Sequence, residues 1–234
     1  MVNAKGKWCF VTGASKGVGR QIALFMAERG CNLILHSRIL EQTKAILEEA
    51  SALGVEAFAV AADFSRPDEI AAMLKEIDGK GVDVDIVFND AGVQVSYREE
   101  FFSTPITDFM QSFLINMIGP AMICYHFLPK MIERGFGRII NTASSIKGEP
   151  QQAGYACSIA ALEKFTCDLA GTLDGVDASI NMADLGRHPE DDRCLLPGAV
   201  VGAFIDGIKS GGVFPAQAFK SMTLEEAVEA AKAF

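Results

Sequence analysis

Trp8-Cys9-Phe10-Val11-Thr12-Gly13-Ala14-Ser15-Lys16-Gly17-Val18-Gly19 passes from an apolar run of strand length into a turn punctuated by three glycines. A helical pattern follows from about Val18 to Arg29, and Gly30 is placed to cap it. Such a turn has a physical use. Glycines let the backbone bend sharply and approach an anion, while the first N–H groups of the helix and its positive dipole end converge on the same point. The stretch therefore predicts a phosphate site built from Gly13, Ser15, Lys16, Gly17, Val18 and Gly19.

Outward from this turn, strand-length apolar runs alternate with helical patterns to the end of the chain. Cys31 to His36 reads as a strand, then a charged helix runs near Leu40 to Leu53 and stops at Gly54. Val55 to Ala62 is a third strand, and Pro67 opens a helix through Ile77. Asp85 to Phe88 is a fourth strand, followed by one long helix near Thr107 to Arg134 and a strand over Arg138 to Ala143. A helix from about Tyr155 to Leu173, a strand over Ala178 to Ala183, a helix from Pro197 to about Lys209 and a last strand over Val213 to Ala216 complete the pattern. The tail, about 223–234, opens with Thr223-Leu224-Glu225-Glu226, which has capping-box spacing ahead of strong helix formers. Alternation of this kind predicts an α/β fold, a parallel sheet covered by helices on both faces. No linker composition interrupts it, so residues 1–234 are expected to form one domain.

Composition narrows the function classes. Half of the residues are hydrophobic, enough for a large core, and the net charge is −9 with no dense basic cluster. That pattern argues against nucleic acid or an anionic membrane surface as the main partner. Leu114 to Met131 is the most apolar stretch, but Asn116, Pro120, His126 and Pro129 interrupt it, so a buried helix is expected in place of a membrane span. The six cysteines are scattered without a C-x-x-C pair and the three histidines do not cluster, so reduced thiols, no metal site and a cytoplasmic setting are the expectation.

The spacing Thr12-Gly13-x-x-x-Gly17-x-Gly19 resembles the fingerprint of the short-chain dehydrogenases/reductases, and several further stretches fit it. Asn89-Asp90-Ala91-Gly92 resembles the family's Asn-Asn-Ala-Gly, with an aspartate in the second place. Phe113-Leu114-Ile115-Asn116 resembles its asparagine segment, Gly137 to Gly148 its serine strand, and Tyr155-Ala156-Cys157-Ser158-Ile159 its Tyr-x-x-x-Lys helix. The resemblance covers about Lys7 to Gly212. It implies a single Rossmann-like domain with a doubly wound parallel sheet that binds NAD(P). It also implies hydride transfer between the nicotinamide and a small-molecule carbonyl or alcohol, and a homodimer or homotetramer paired through the two long helices.

The resemblance carries over residue by residue. Asp63 and Phe64, after the third strand, fall where the family meets the adenine, and Asn89, Ala91 and Gly92 extend the cofactor site. At the end of the second strand, Ser37 takes the place where NAD-preferring folds put an acid, with Arg38 beside it. Arg38 and Lys16 suit a 2′-phosphate, so NADP(H) is expected over NAD(H). Catalytic roles fall to Tyr155 as general acid, Ser145 to orient the carbonyl (with Ser144 as the fallback) and Asn116 to hold a relay water.

One position departs sharply. Ile159 stands where the family has the lysine that contacts the ribose and lowers the tyrosine pKa. Lys164 lies nine residues beyond Tyr155, on roughly the opposite face of a helix, whereas Lys147 sits on a loop beside Ser145. Asp184-Leu185-Gly186 replaces the family's Pro-Gly run, no threonine follows it, and little chain remains before Pro197 for a substrate lid. The interval from Ser145 to Tyr155 is also short. Two readings follow: a reductase with weakened chemistry, or a non-catalytic nucleotide-binding or assembly protein on the same scaffold.

Overall fold

A computed structural model of the chain describes residues 1–144, 150–186, 197–207 and 210–234. Seven strands form one all-parallel sheet: β1 (Trp8–Val11), β2 (Asn32–Ser37), β3 (Ala57–Ala61), β4 (Val84–Asn89), β5 (Gly137–Ala143), β6 (Ala178–Asp184) and β7 (Val213–Pro215). Their spatial order is β3-β2-β1-β4-β5-β6-β7. The order reverses between β1 and β4, so the loops leaving those strands diverge and open a crevice at their carboxyl ends.

Two layers of helix cover the sheet, as alternation along each strand requires. Cys9 and Val11 of β1, with Leu33 and Leu35 of β2, pack beneath α1 (Gly17–Glu28), α2 (Lys44–Ala52), α7 (Gly198–Ala203) and α8 (Leu224–Ala233). Phe10 and Ile34 face the other way, towards α3 (Pro67–Gly79) and α5 (Gly119–Arg134). The tail helix starts as the sequence predicts: Thr223 Oγ1 accepts from the Glu226 amide, and the Glu226 carboxylate accepts from the Thr223 amide at 2.8 Å.

Three elements differ from the sequence reading. The long helix is not uniform. It consists of α4 (Ile106–Phe113), a π turn over Leu114–Ile118 and α5, so one extra residue is accommodated where Asn116 sits. The first turn of the helix near Leu40 is 3₁₀, with α-helix only from Lys44. The helix opened by Pro197 ends at Ala203 and continues as a 3₁₀ turn to Asp206, because Gly207 takes extended backbone. The stretch Ile106–Arg134 is apolar and long enough to cross a membrane by composition alone. Here α5 instead buries Ile123, Phe127 and Met131 in the core on the α3 face of the sheet.

Candidate active site

The glycine turn after β1 is held from below. Thr12 Oγ1 accepts from the amides of Asp90 and Ala91, both at 2.9 Å, and donates to Phe88 O, tying the end of β1 to that of β4. The Gly13 amide donates to His36 Nδ1 at 3.3 Å, and the opposite ring nitrogen, Nε2, meets Ala62 O at 3.0 Å. Those partners fix the neutral tautomer with hydrogen on Nε2. Burial holds the ring neutral as well, pushing its pKa down to about 4. Phe64 stacks on His36 with centroids 4.4 Å apart, completing a rigid floor.

The turn itself requires glycine twice. Gly13 and Gly17 have φ of +70° and +60°. A Cβ on Gly19 would lie 2.6 Å from Gly13 O, so no side chain fits there. Lys16 caps α1 without a side-chain hydrogen bond, and no acid stands in the first turn. Apart from the Gly19 amide, which meets Asp90, the first amides of this twelve-residue helix are thus placed to meet an anion. Lys16, at the N-cap of α1, and Arg38, just beyond β2, are both exposed, and Arg38 lies close enough to Asp63 to help hold its carboxyl below the usual range. Hydrogen bonds from the Ser65 amide and hydroxyl are the larger cause of that shift.

Several predicted cofactor residues have their side chains turned inward. The Ser37 hydroxyl donates to Ile39 O at 2.6 Å, and Phe64 is buried against His36 and Gly119. Asn89 donates to Asn141 Oδ1 at 2.8 Å, and Asn141 donates to Thr166 Oγ1 at 2.8 Å, a polar ladder through the core that only the fold assembles.

The chemistry-bearing residues converge beyond β4 and β5. α6 (Ala153–Ala170) carries Tyr155 in its first turn, and the π turn brings Asn116 against it. Tyr155 Oη contacts Ser144, accepting from its amide at 3.3 Å and donating to its carbonyl at 3.2 Å. Asn116 Oδ1 accepts from the Val93 amide at 2.8 Å, and Nδ2 donates to Val93 O and to Ser158 Oγ. Ser158 in turn donates to Tyr155 O at 2.7 Å. Ser158 was not singled out from the sequence, although its place three residues beyond Tyr155, one turn along the same helix face, was the available signal. Gly92, Asn116, Ser144, Tyr155 and Ile159 line a cleft of about 180 Å³. Ser145 and Lys147, and the stretch after Gly186 read as a short lid, lie outside the described residues.

Ile159 fills its place apolarly. It is buried with Val95, Ala143 and Met182 around the Tyr155 ring. Lys164 is exposed and paired with Asp168. Among the described residues the one charge that acts on the tyrosine is negative: burial pushes the Tyr155 pKa up, hydrogen bonds with Ser144 pull it part of the way back, and the Asp184 carboxylate adds a smaller upward push. The family pattern places a cation at this tyrosine; among the described residues this chain places Asp184 near it.

A larger cleft, about 1050 Å³, lies at the opposite ends of the strands, where Lys7, Arg138 and Ser179 begin β1, β5 and β6. Ligands of parallel sheets bind outside the carboxyl ends, so the smaller cleft is the candidate active site.

Comparison with known proteins decides the family. The profile of the short chain dehydrogenase family matches residues 7–186.

This chain is a short-chain dehydrogenase/reductase.

A short-chain type dehydrogenase/reductase of Picea abies is 30% identical over 204 residues, spanning 83% of this chain and 71% of the relative. The 3-oxoacyl-[acyl-carrier-protein] reductase FabG of Staphylococcus epidermidis is 31% identical over 183 residues, covering 75% and 72%. The inactive hydroxysteroid dehydrogenase-like protein 1 of Rattus norvegicus is 31% identical over 169 residues, covering 71% of this chain and 51% of that one. Among solved structures, an NAD+-bound xylitol dehydrogenase superposes with a TM-score of 0.81 at 23% identity, over 92% of this chain and 98% of that one. A metagenomic short-chain oxidoreductase in complex with NADP does so with 0.79 at 23% identity, over 92% and 98%. As a short-chain dehydrogenase/reductase the chain has the family's α/β fold, and its candidate site lies at the carboxyl ends of the strands.

Proposed function

We propose that this protein binds NADP(H) and slowly reduces a small carbonyl compound, with Tyr155 as a neutral proton donor. One observation carries the reading: Tyr155 stands at the open end of the nucleotide crevice with its pKa raised by burial and by Asp184. A tyrosine with a reference pKa of about 10 and an upward shift keeps its proton at neutral pH. It can therefore give that proton to a carbonyl oxygen but is a poor base for an alcohol. Bound NADPH would supply the hydride. The open amides of α1 would hold the pyrophosphate, with Lys16 and Arg38 supplying positive charge for a 2′-phosphate. Ser144, whose backbone already meets the Tyr155 hydroxyl, or Ser145 would orient the carbonyl. Asn116, whose amide is committed to Val93 and Ser158, supports the start of α6 and the loop after β4. The lysine's ribose contacts have no substitute at Ile159, hence the slow rate.

A cytoplasmic homodimer or homotetramer fits this reading. Tyr125 is exposed on α5 and stacks on the half-buried Phe165 of α6, and an exposed aromatic ring across two adjacent long helices suits pairing with a second copy.

A second reading, a non-catalytic nucleotide-binding protein, is favoured by the Tyr155 hydroxyl being tied to Ser144 backbone at both of its hydrogen-bonding roles, and by the likeness to a relative named inactive. The two separate in one experiment. NADPH oxidation is followed against ketones, dicarbonyls, quinones and 3-ketoacyl thioesters, for the unaltered protein and for Ile159→Lys. Slow turnover in the former and faster turnover in the latter is expected. NADPH binding without turnover in either protein would establish the non-catalytic reading.

A further inference from the structure

Asp90 stands where the family pattern has asparagine, and its setting is unusual for a carboxylate. Its side chain sits beneath the glycine turn, half-buried at the wall of the cleft. Thr142 Oγ1 donates to Oδ1 at 2.7 Å, while Oδ2 lies against Gly19, whose amide also favours the charged form. A Cβ built on Gly19 would come within 2.7 Å of Oδ2. The Asp90 amide completes the clamp by donating to Thr12 Oγ1. One side chain thus joins the third residue of α1 to the end of β5, directly under the place where the helix amides are open.

Among the described residues no positive partner accompanies it. The surrounding elements offer Lys16 and Arg20 from the turn and α1, His36 from β2, Tyr155 from α6 and Asp184 from β6. Lys16 points to solvent, Arg20 pairs with Glu49, His36 is neutral, and Asp184 is acidic. Burial dominates, and the Asp90 carboxyl is pushed up to about 6 in spite of its two hydrogen bonds. An anion arriving at the N-terminus of α1 meets this carboxylate as a like charge, and protonating the carboxylate removes the repulsion.

We propose that Asp90 is a proton-linked positioning residue, which holds the glycine turn to β5 and takes up a proton from solvent when a dinucleotide pyrophosphate binds above it. The proposal rests on nucleotide binding at this site and adds a linkage that an asparagine could not provide. A protonated Asp90 keeps both contacts, accepting from Gly19 on one oxygen while the other exchanges its hydroxyl hydrogen with Thr142. An asparagine is shaped like that protonated form at every pH.

The test is titration calorimetry with NADH and with NADPH from pH 5 to pH 8.5, on the unaltered protein and on Asp90→Asn. NADH lacks the 2′-phosphate and so removes that group's own titration from the comparison. For the unaltered protein, affinity for NADH is expected to weaken about tenfold across the range, the effect of a shift of one pKa unit. Net proton uptake near pH 7, read from buffers of different ionisation heat, should accompany binding. Asp90→Asn should bind with a flat profile, more tightly than the unaltered protein at pH 8, and take up no proton. A purely structural role would move stability alone and leave the linkage in place. Equal pH profiles in the two proteins, or binding without proton uptake, would overturn the proposal and leave nucleotide binding standing. Failure of either protein to bind either nucleotide would overturn both.

Discussion

The two sides of the crevice are built on different principles. On the β1–β3 side, the nucleotide turn is shaped by backbone: positive φ at Gly13 and Gly17, the absence of a side chain at Gly19, and amides left open at the start of α1. On the β5–β6 side, function in the family depends on point charge at one tyrosine, and here that charge has been replaced by Ile159 and opposed by Asp184. Backbone geometry is over-determined by its neighbours, since Thr12, His36 and Asp90 all hold the same turn. A point charge has no such redundancy. A single codon can remove it and the surrounding apolar residues close the gap. A scaffold can therefore lose or alter its chemistry while its ligand site stays intact.

The strongest challenge to that contrast is Gly19→Ala. A Cβ 2.6 Å from Gly13 O forces the turn apart, so NADPH affinity should fall about 100-fold, equivalent to about 2.7 kcal/mol, when measured by nucleotide fluorescence. Binding unchanged by this substitution would mean that the ligand does not use the turn.

Of comparable size is Asp90→Asn, read as folding stability without ligand. A carboxyl raised in the folded state from its ordinary 3.8 to about 6 favours folding only while protonated. Its contribution is full below about pH 4, declines as pH rises and is gone above about pH 6. Urea unfolding should find the asparagine variant more stable by about 3 kcal/mol at pH 8, since roughly two pKa units at 1.36 kcal/mol each are involved. The gap should close towards pH 4.

Ile159→Lys sharpens the comparison from the other side. Restoring a cation should speed NADPH-dependent reduction, yet it puts an ammonium among Val95, Ala143 and Met182. A stability loss of about 1–3 kcal/mol, measured by denaturant unfolding, is expected to accompany the gain. The smallest effect is set for Arg38→Ala. Arg38 is exposed, and losing one charge-assisted contact to a 2′-phosphate should weaken NADPH binding by roughly tenfold, about 1.4 kcal/mol, while leaving NADH binding unchanged. Equal losses for both nucleotides would remove the basis for an NADP(H) preference.

Much of this was legible in the chain. Alternating apolar runs and glycine stops gave the strand–helix order because burial on both sheet faces writes itself into periodicity. The glycine turn was legible because only glycine fits its backbone. Asp184 beside Tyr155 was not, because the two meet only when β6 and α6 pack side by side. Nor was the polar ladder from Asn89 through Asn141 to Thr166, whose members look like ordinary strand and helix residues until the sheet registers them. The π turn at Leu114–Ile118 escaped for a subtler reason. One extra residue hardly disturbs an apolar pattern that is dense on every side.

That π turn also shows where the chain can change its length. Removing one residue of Leu114–Ile118 would let the stretch relax to an ordinary α-helix, because a π turn is one residue inserted into a helix whose flanking turns keep their register. Ile123, Phe127 and Met131 would then stay in the core. A deletion within α5 itself would instead rotate everything beyond it by about 100°. Relatives one residue shorter in this region are thus expected to place the gap at the π turn.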